Sequence, residues 1–300
     1  MLPVRVLILL LFLSGAVQAS DVWRTSPVDP ASMPPDIVAE SGRLAPNGLP
    51  DGLVGRAAKD GDLAAAWYEG PTKRYGHAIL GDAVEAGILK VRSRAGKTYT
   101  LVLPETEVFE DRTPRLVDLD GNGTIEVVTI RASVTQGAAV TVYGLAGDTL
   151  SEVATTPFIG RANRWLNIAG IADFAGNGRH MIAFVRTPHI GGTLYFYDLA
   201  SGTLRQRGAL YGFSNHQIGA REMRLSAIAD VDDDGRPELA LPSDNRRSLK
   251  IVKLGSTGPK VLADIALPGR IDKAIAVRGR GRATRFTVGL DNGDVIAVHR

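Results

Sequence analysis

The sequence predicts an all-β protein, in its simplest form a β-propeller of five four-stranded blades closed by an N-terminal strand. Asp118, Asp173 and Asp230 occupy equivalent places in a repeat and lie 55 and 57 residues apart, close to the length of one blade. No segment has a convincing helical period. A two-sheet sandwich is the alternative, but it does not explain the repeat. Four stretches alternate apolar and polar residues around a glycine-containing turn, as β-hairpins do: 88–103, 140–153, 193–207 and 249–264.

The N-terminal end has the features of a secretory signal over residues 1–19. Arg5 supplies the positive charge, residues 6–13 are an unbroken apolar run, and Val17-Gln18-Ala19 is a small-x-small cleavage site. The run is too short to span a bilayer comfortably, although an uncleaved anchor is the alternative. We therefore expect a periplasmic or secreted protein. With no Cys among the 300 residues, a disulfide cannot stabilise it in an oxidising compartment.

Residues 20–61 form a proline-rich extension, and the repeats are expected over residues 62–300. A fifth strand–turn–strand stretch begins at Asp294, and the chain ends at Arg300, so we expect the last unit to lack its outer strand. We expect the N-terminal extension to supply it, with residues 52–57 as the candidate. Such closure would cover sheet edges that otherwise invite aggregation.

Two acidic loops have the side chains of a calcium site. Oxygen-bearing residues alternate along each loop, and glycines between them allow the backbone to curl around one point. Hard cations such as calcium take six to eight oxygen ligands. The predicted metal residues of the first loop are Asp118, Asp120, Asn122, Thr124 and Glu126, and those of the second are Asp230, Asp232, Asp234, Arg236 and Glu238. A plain acidic surface turn is the alternative.

These loops are not EF-hands, because position 12 is Thr129 in one and Leu241 in the other, and strands rather than helices follow. The strand–loop–strand setting resembles the FG-GAP or VCBS repeat of integrin-α-like propellers. That resemblance implies calcium between the first two strands of a blade. It also implies an extracytoplasmic module that binds a protein or glycan ligand.

Two further repeats have lost these ligands. Residues 173–181 keep Asp173 and Asn177 but have Ala175 and Met181 at positions 3 and 9, so we expect no tight calcium site there. Residues 276–285 contain no carboxylate and four arginines. They form either a patch for an anionic partner or a degenerate loop whose arginines pair with nearby carboxylates. No aromatic residue separates them, which argues against a stacked nucleic acid.

Several histidines and arginines recur beside the predicted inner strands. Three histidines could meet at one channel mouth and bind a transition metal, or each could satisfy a turn. The arginines could attract an anion at the channel mouth or pair with carboxylates. The candidate ligand-binding residues are Arg164, Arg221, Arg224, His189 and His216, with His77 and Arg112 in related places.

No catalytic motif is present, and no catalytic residue is assigned. The first hypothesis is a calcium-stabilised module that binds a protein or glycan through its loops. The alternative is an extracytoplasmic polysaccharide-active enzyme with its site at the channel mouth. A deep polar channel with convergent His and Arg side chains would favour the enzyme, and a shallow channel filled by small residues would favour the binding module.

Overall fold

The structure is a computed structural model that describes residues 22–33, 35–38, 40, 42–45, 47–58 and 61–300. The expected signal segment lies outside these residues. The described chain is built almost wholly of strands, with one short α-helix and two 3-10 turns, so the all-β prediction is confirmed. Among the described residues, no helix has the length and apolar character needed to cross a membrane.

Twenty-one strands follow one another along the described part of the chain. They are β1 (Arg24–Val28), β2 (Gly55–Arg56), β3 (Leu63–Thr72), β4 (Glu85–Ser93), β5 (Thr98–Val102), β6 (Glu107–Phe109), β7 (Arg115–Val117), β8 (Glu126–Ser133), β9 (Gly137–Ala146), β10 (Thr149–Thr155), β11 (Leu166–Ala172), β12 (Met181–Arg186), β13 (Thr193–Ala200), β14 (Thr203–Tyr211), β15 (Ala227–Ala229), β16 (Glu238–Pro242), β17 (Ser248–Gly255), β18 (Gly258–Ala266), β19 (Ala276–Arg278), β20 (Arg285–Gly289) and β21 (Val295–His299). The helix α1 is Pro35–Val38, and the 3-10 turns are Pro30–Ser32 and Gly281–Ala283.

The strands form five antiparallel units of four. Two units, β2–β5 and β7–β10, are joined through β6 into one nine-stranded sheet. The next two are β11–β14 and β15–β18, and the last has the order β1-β21-β20-β19. All these orders are linear, so no described sheet closes on itself.

The outer strand of the last unit comes from the N-terminal segment, but not from the residues expected. Strand β1 pairs with β21 over five residues, from Arg24 opposite His299 to Val28 opposite Val295. The expected segment, 52–57, instead contributes Gly55 and Arg56, which pair with β3. In this short strand Arg56 is exposed but Gly55 is buried, and a Cβ on Gly55 would lie 1.9 Å from the Pro114 carbonyl oxygen.

The middle strands of the units are buried on both faces, whereas outer strands alternate. Residues Met181–Val185 of β12 are all buried, but most of β14 is exposed on one face. Near-continuous burial follows when a sheet packs against neighbours on both sides. The acidic loops connect the first and second strands of their units, β7 to β8 and β15 to β16. They therefore extend from the ends of well-packed strands.

Candidate metal centres and the central cavity

The first acidic loop is folded by its own backbone. The Asp118 carboxylate accepts hydrogen bonds from the N–H groups of Gly121, Asn122 and Gly123, at 2.8, 3.2 and 2.9 Å. Both glycines have positive φ, 75° and 89°, which glycine adopts without steric cost. A tight turn results, with its side-chain oxygens gathered on one side.

Three carboxylates of this loop converge. One oxygen each of Asp118, Asp120 and Glu126 lies within 4.8 Å of the others. Glu126 is buried, and its Oε2 accepts from the Leu119 N–H at 2.8 Å. Burial, followed by the charges of Asp120 and Asp118, raises the pKa of Glu126 to about 7. This all-oxygen donor set fits a hard divalent cation, whose charge would relieve the crowding of carboxylates.

The remaining two candidate residues of the first loop bond to each other. Asn122 Oδ1 accepts from the Thr124 N–H at 2.7 Å and from its hydroxyl at 2.6 Å. The Thr124 hydroxyl also lies 3.3 Å from Glu126 Oε1. Within the described chain, no Lys or Arg nitrogen lies within 4.0 Å of the carboxylates of Asp118, Asp120 or Glu126.

The second loop repeats the turn and the cluster. Asp230 Oδ2 accepts from the Gly235 N–H at 3.0 Å, and Glu238 Oε2 accepts from the Val231 N–H at 2.8 Å. Oxygens of Asp230, Asp232 and Glu238 again lie within 4.8 Å of one another. Like the first, this donor set could hold a metal ion.

A lysine distinguishes the second loop from the first. Lys253, buried in β17, places its Nζ 2.6 Å from Asp232, 2.7 Å from Asp234 and 2.9 Å from Glu238 Oε1. Arg236 also pairs with Asp234, at 2.6 Å. An ammonium group therefore lies among the oxygens that would bind a cation.

The arginine-rich segment in the last unit adds another positive charge. The Arg280 guanidinium lies 3.1 Å from Asp230 and 3.1 Å from Asp233. For Arg280, the choice between a patch for an anion and pairing with carboxylates is therefore resolved towards pairing.

The third loop, without its own acidic cluster, contacts the first. The His180 N–H donates to the Leu119 carbonyl and the His180 Nδ1 to the Asp118 carbonyl, both at 2.9 Å. Gly121 lies so close to this loop that an added Cβ would be 3.2 Å from the Gly178 carbonyl oxygen. Because Nδ1 donates to a carbonyl, Nε2 of the neutral ring is an acceptor. Sequence analysis missed His180, whose role depends on a partner 62 residues away.

A cavity of about 570 Å³, which we call the central cavity, opens beside the first loop. The first strands of the second and third units, together with the segment before β15, form its walls. Aliphatic and ionisable side chains line the cavity together. Asp118 and Gly121 of the first loop form part of its wall, and the other lining residues include Arg115, Ile168, Ile171, His180, Met223 and Arg224.

Both arginines of the cavity are held by carboxylates. Arg115 pairs with Asp111, which is fully buried and also accepts from the Tyr68 hydroxyl at 2.8 Å. Arg224 forms a two-nitrogen contact with Glu222, at 2.8 and 2.7 Å. Such pairing fixes the planar guanidinium groups and leaves other N–H groups of Arg115 without a protein acceptor among the described residues.

The other predicted arginines lie elsewhere. Arg221 pairs with Asp82 at 2.9 Å and with Asp51 at 3.3 Å. Arg164 donates to the Asn163 carbonyl at 3.0 Å. Neither lines the central cavity, so the repeat position alone did not bring the two side chains there. Of the predicted ligand-binding residues, only Arg224 does.

The three predicted histidines, His77, His189 and His216, lie around Trp165. They are in loops at the ends of the strands opposite the acidic loops. His77 Nδ1 is 2.7 Å from Glu110 Oε1, and His189 Nε2 is 3.0 Å from His216 Nδ1. Trp165 stacks on His189 and meets His216 edge-on, with centroids 6.2 and 4.6 Å apart. Among the described residues, His77 contacts Glu110 and His189 contacts His216, so the three histidines do not form one cluster of metal-binding atoms.

No protein-family model matches the sequence, and no curated protein matches it. Among solved structures, the rhamnogalacturonan lyase YesW matches with a TM-score of 0.49 and 16% identity, over 89% of this chain and 50% of that one. The exotype rhamnogalacturonan lyase YesX matches with a TM-score of 0.43 and 16% identity, over 89% and 57%. The chain spans little more than half the length of these lyases.

Proposed function

We propose that this chain is a calcium-dependent, glycan-active protein, exported as its first 19 residues suggest, with its ligand in the central cavity. The observation that carries the proposal is the shared wall: Asp118 and Gly121 belong both to the first acidic loop and to the cavity. A sugar unit has hydroxyl groups and apolar C–H faces. The cavity offers both kinds of contact, through Arg115 and Arg224 and through Ile168 and Met223.

Only the first loop takes calcium in this proposal. Its carboxylates lack a basic partner among the described residues, whereas Lys253 already lies among the carboxylates of the second loop. Titration of the purified protein with calcium, followed by calorimetry, should give one site per chain. Asp120→Asn should abolish it, and Asp232→Asn should leave it. Two wild-type sites would contradict the assignment.

The ligand we favour is an acidic glycan. Arg115 has N–H groups left for a carboxylate, and a cation at the first loop would supply further positive charge at the cavity wall. Binding of polygalacturonate, measured by affinity electrophoresis with and without calcium, tests this. We expect retardation in calcium, a large loss with Arg115→Gln, and no change with Arg205→Gln, an exposed arginine on β14. Equal retardation of a neutral glucan would count against it.

A second candidate function, cleavage of that glycan, is favoured by His180. Its Nδ1 is fixed by the Asp118 carbonyl, so Nε2 is the ring nitrogen left to act as a base in the cavity. It would accept the proton next to a uronate carboxylate. The electron pair then forms the ring double bond, and the glycosidic oxygen leaves and takes a proton from water.

The test uses His180→Asn, because the Asn amide can keep the donor to Asp118 while it removes the base. Release of unsaturated uronate would be followed by ultraviolet absorbance. Activity in the wild type that this variant loses, with polygalacturonate binding kept, supports cleavage. Binding without product in the wild type leaves the protein as a binding module.

We also propose that the five units form a β-propeller of the FG-GAP or VCBS type. Five four-stranded units in chain order, and a cavity bounded by the first strands of consecutive units, support blades around an axis. Small-angle X-ray scattering tests it, because five blades closed in a ring give a compact disc. An elongated particle would instead indicate a row of sheets.

A further inference from the structure

A second cavity lies at the other end of the central strands from the acidic loops. It measures about 310 Å³ and is lined by loops that follow β12, β14, β16 and β18. We call it the Arg246 pocket; the lining residues that matter here are His189, His216, Gln217, Asp244, Arg246 and Arg270. It is separate from the proposed glycan cavity and shares no lining residue with it.

The hydrogen bonds of the histidine pair fix its tautomers. His216 Nε2 lies 2.9 Å from the Ala220 carbonyl, so Nε2 carries the proton. His216 Nδ1 must then accept from His189 Nε2, 3.0 Å away. Burial lowers the pKa of His216 to about 3 and that of His189 to about 4, so both rings are neutral at pH 7. The hydrogen bonds of the pair therefore fix the orientation of the two neutral rings, and His189 Nδ1 remains an acceptor.

Positive charge in the pocket comes from two arginines. Arg246 is half-buried, and its Nη1 donates to two neutral acceptors, Gln217 Oε1 at 2.9 Å and the Ile271 carbonyl at 3.2 Å. Within the described residues, no carboxylate oxygen lies within 4.0 Å of the guanidinium of Arg246 or Arg270. Burial and the nearby Arg270 charge lower the pKa of Arg246.

The single carboxylate of the lining, Asp244, is exposed and accepts from the Asn245 N–H at 2.8 Å. With neutral histidines, the lining therefore has a net positive charge. Two guanidinium groups that line one pocket repel each other. The charges of Asp272 and Asp291 offset part of this repulsion at Arg246, and a bound anion would offset more of it. The backbone adds to this picture, because Arg246 has a positive φ of 59°. A non-glycine residue in that region is strained and is held there by its surroundings.

We propose that the Arg246 pocket binds a small anion through the guanidinium groups of Arg246 and Arg270. The group recognised is a carboxylate, sulfate or phosphate, and the pocket has room for a molecule the size of one sugar acid. This inference does not depend on calcium, on the first loop or on the central cavity.

Calorimetry at low salt tests the pocket with three probes: inorganic phosphate, D-galacturonate and neutral D-galactose. We expect at least one anion to bind and galactose not to bind, with affinity falling as salt is added. Phosphate alone or galacturonate alone would identify the preferred source of the charge. Absence of binding by both anions, or equal binding of galactose, would overturn the proposal.

Two variants locate the site. Arg246→Asn removes the guanidinium but keeps a residue that tolerates positive φ, and Arg270→Gln changes an exposed side chain. Each should weaken anion binding at least tenfold. The control is Arg247→Gln, an exposed neighbour outside the pocket, which should bind as the wild type does. Unchanged affinity in the double variant would place the anion elsewhere, and Arg270→Gln alone decides the matter if Arg246→Asn does not fold.

Discussion

Lys253 is a buried cation in the middle of a strand, and its position depends on the second acidic loop. Its Nζ contacts Asp232, Asp234 and Glu238 within 2.9 Å. A buried ammonium of this kind persists only when carboxylates compensate its desolvation. The same carboxylates would repel one another without it. Lys253 and the loop therefore stabilise each other.

Replacing Lys253 by Met should have two measurable effects. In the absence of calcium, the free energy of unfolding should fall by about 3 kcal/mol, because Asp232 and Glu238 lose their cation and Asp234 keeps only Arg236. In calcium, the vacated oxygens should form a second site, and the stoichiometry should rise from one to two. Lys250→Met is the matched control on the same strand, since Lys250 has no short ion pair within the described part of the chain. Its Nζ lies 3.9 Å from the exposed Asp264. A stoichiometry unchanged by Lys253→Met would contradict this role.

Glu85 predicts a pH dependence of stability. Burial, followed by the charges of Glu110, Asp82, Asp51 and Asp111, raises the pKa of Glu85 from 4.5 to about 9. The folded state therefore binds this proton more tightly than the unfolded state does. Between pH 4.5 and 9, each unit of rising pH costs up to about 1.4 kcal/mol from this group.

Glu85→Gln should remove that cost. Its advantage over the wild type in unfolding free energy should be absent at pH 4 and grow as the pH rises towards 9. Urea unfolding across this range measures the difference. Glu105→Gln, at a side chain that is 90% exposed, should show no such trend. A constant difference across the range would mean that Glu85 is not held protonated by the fold.

At the scale of the elements, β1 protects the last unit. It covers β21 through five residue pairs, and Trp23, just before it, packs against Phe286 with centroids 6.0 Å apart. Pro27 lies within β1, as proline can in an edge strand. Without β1, the edge of β21 would be free to pair with another chain.

A protein that starts at Pro30 should therefore aggregate or melt at a lower temperature than one that starts at Ser20. Light scattering and thermal unfolding of the two truncations compare them directly. Since both lack the expected signal segment, the difference reports on β1 and its flanking residues alone. A monomeric protein starting at Pro30 with an unchanged melting temperature would show that β1 contributes nothing.

At the scale of the whole molecule, calcium should stabilise the folded chain. Binding at a hundred times Kd contributes about 2.7 kcal/mol, and each kcal/mol moves Tm by about 2–4 °C in domains of 150–250 residues. Chelation should therefore lower the melting temperature by several degrees. Asp120→Asn should abolish this response, whereas Asp232→Asn should retain it. A wild-type melting temperature that does not change with calcium would contradict the proposal that the chain binds calcium.

Much of the local structure of this protein can be predicted from its sequence. Alternation of apolar and polar residues reports which face of a strand is buried, and the all-β class and the main hairpins follow from that period. The acidic loops were equally readable. Their shape comes from hydrogen bonds within a few residues, such as Asp118 to the Gly121 and Gly123 N–H groups.

Contacts between residues far apart in the chain depend on how the strands and loops pack together. Lys253 reaches Asp232 across 21 positions, His180 reaches Asp118 across 62, and the bond between Ser26 and His299 spans 273. Periodicity within a strand shows which of its faces is buried, but it does not show which distant strand will pair with it. For this reason the outer strand of the last unit, expected within residues 52–57, is instead Arg24–Val28. For the same reason, two loops with similar side chains differ in whether a lysine lies among their oxygens.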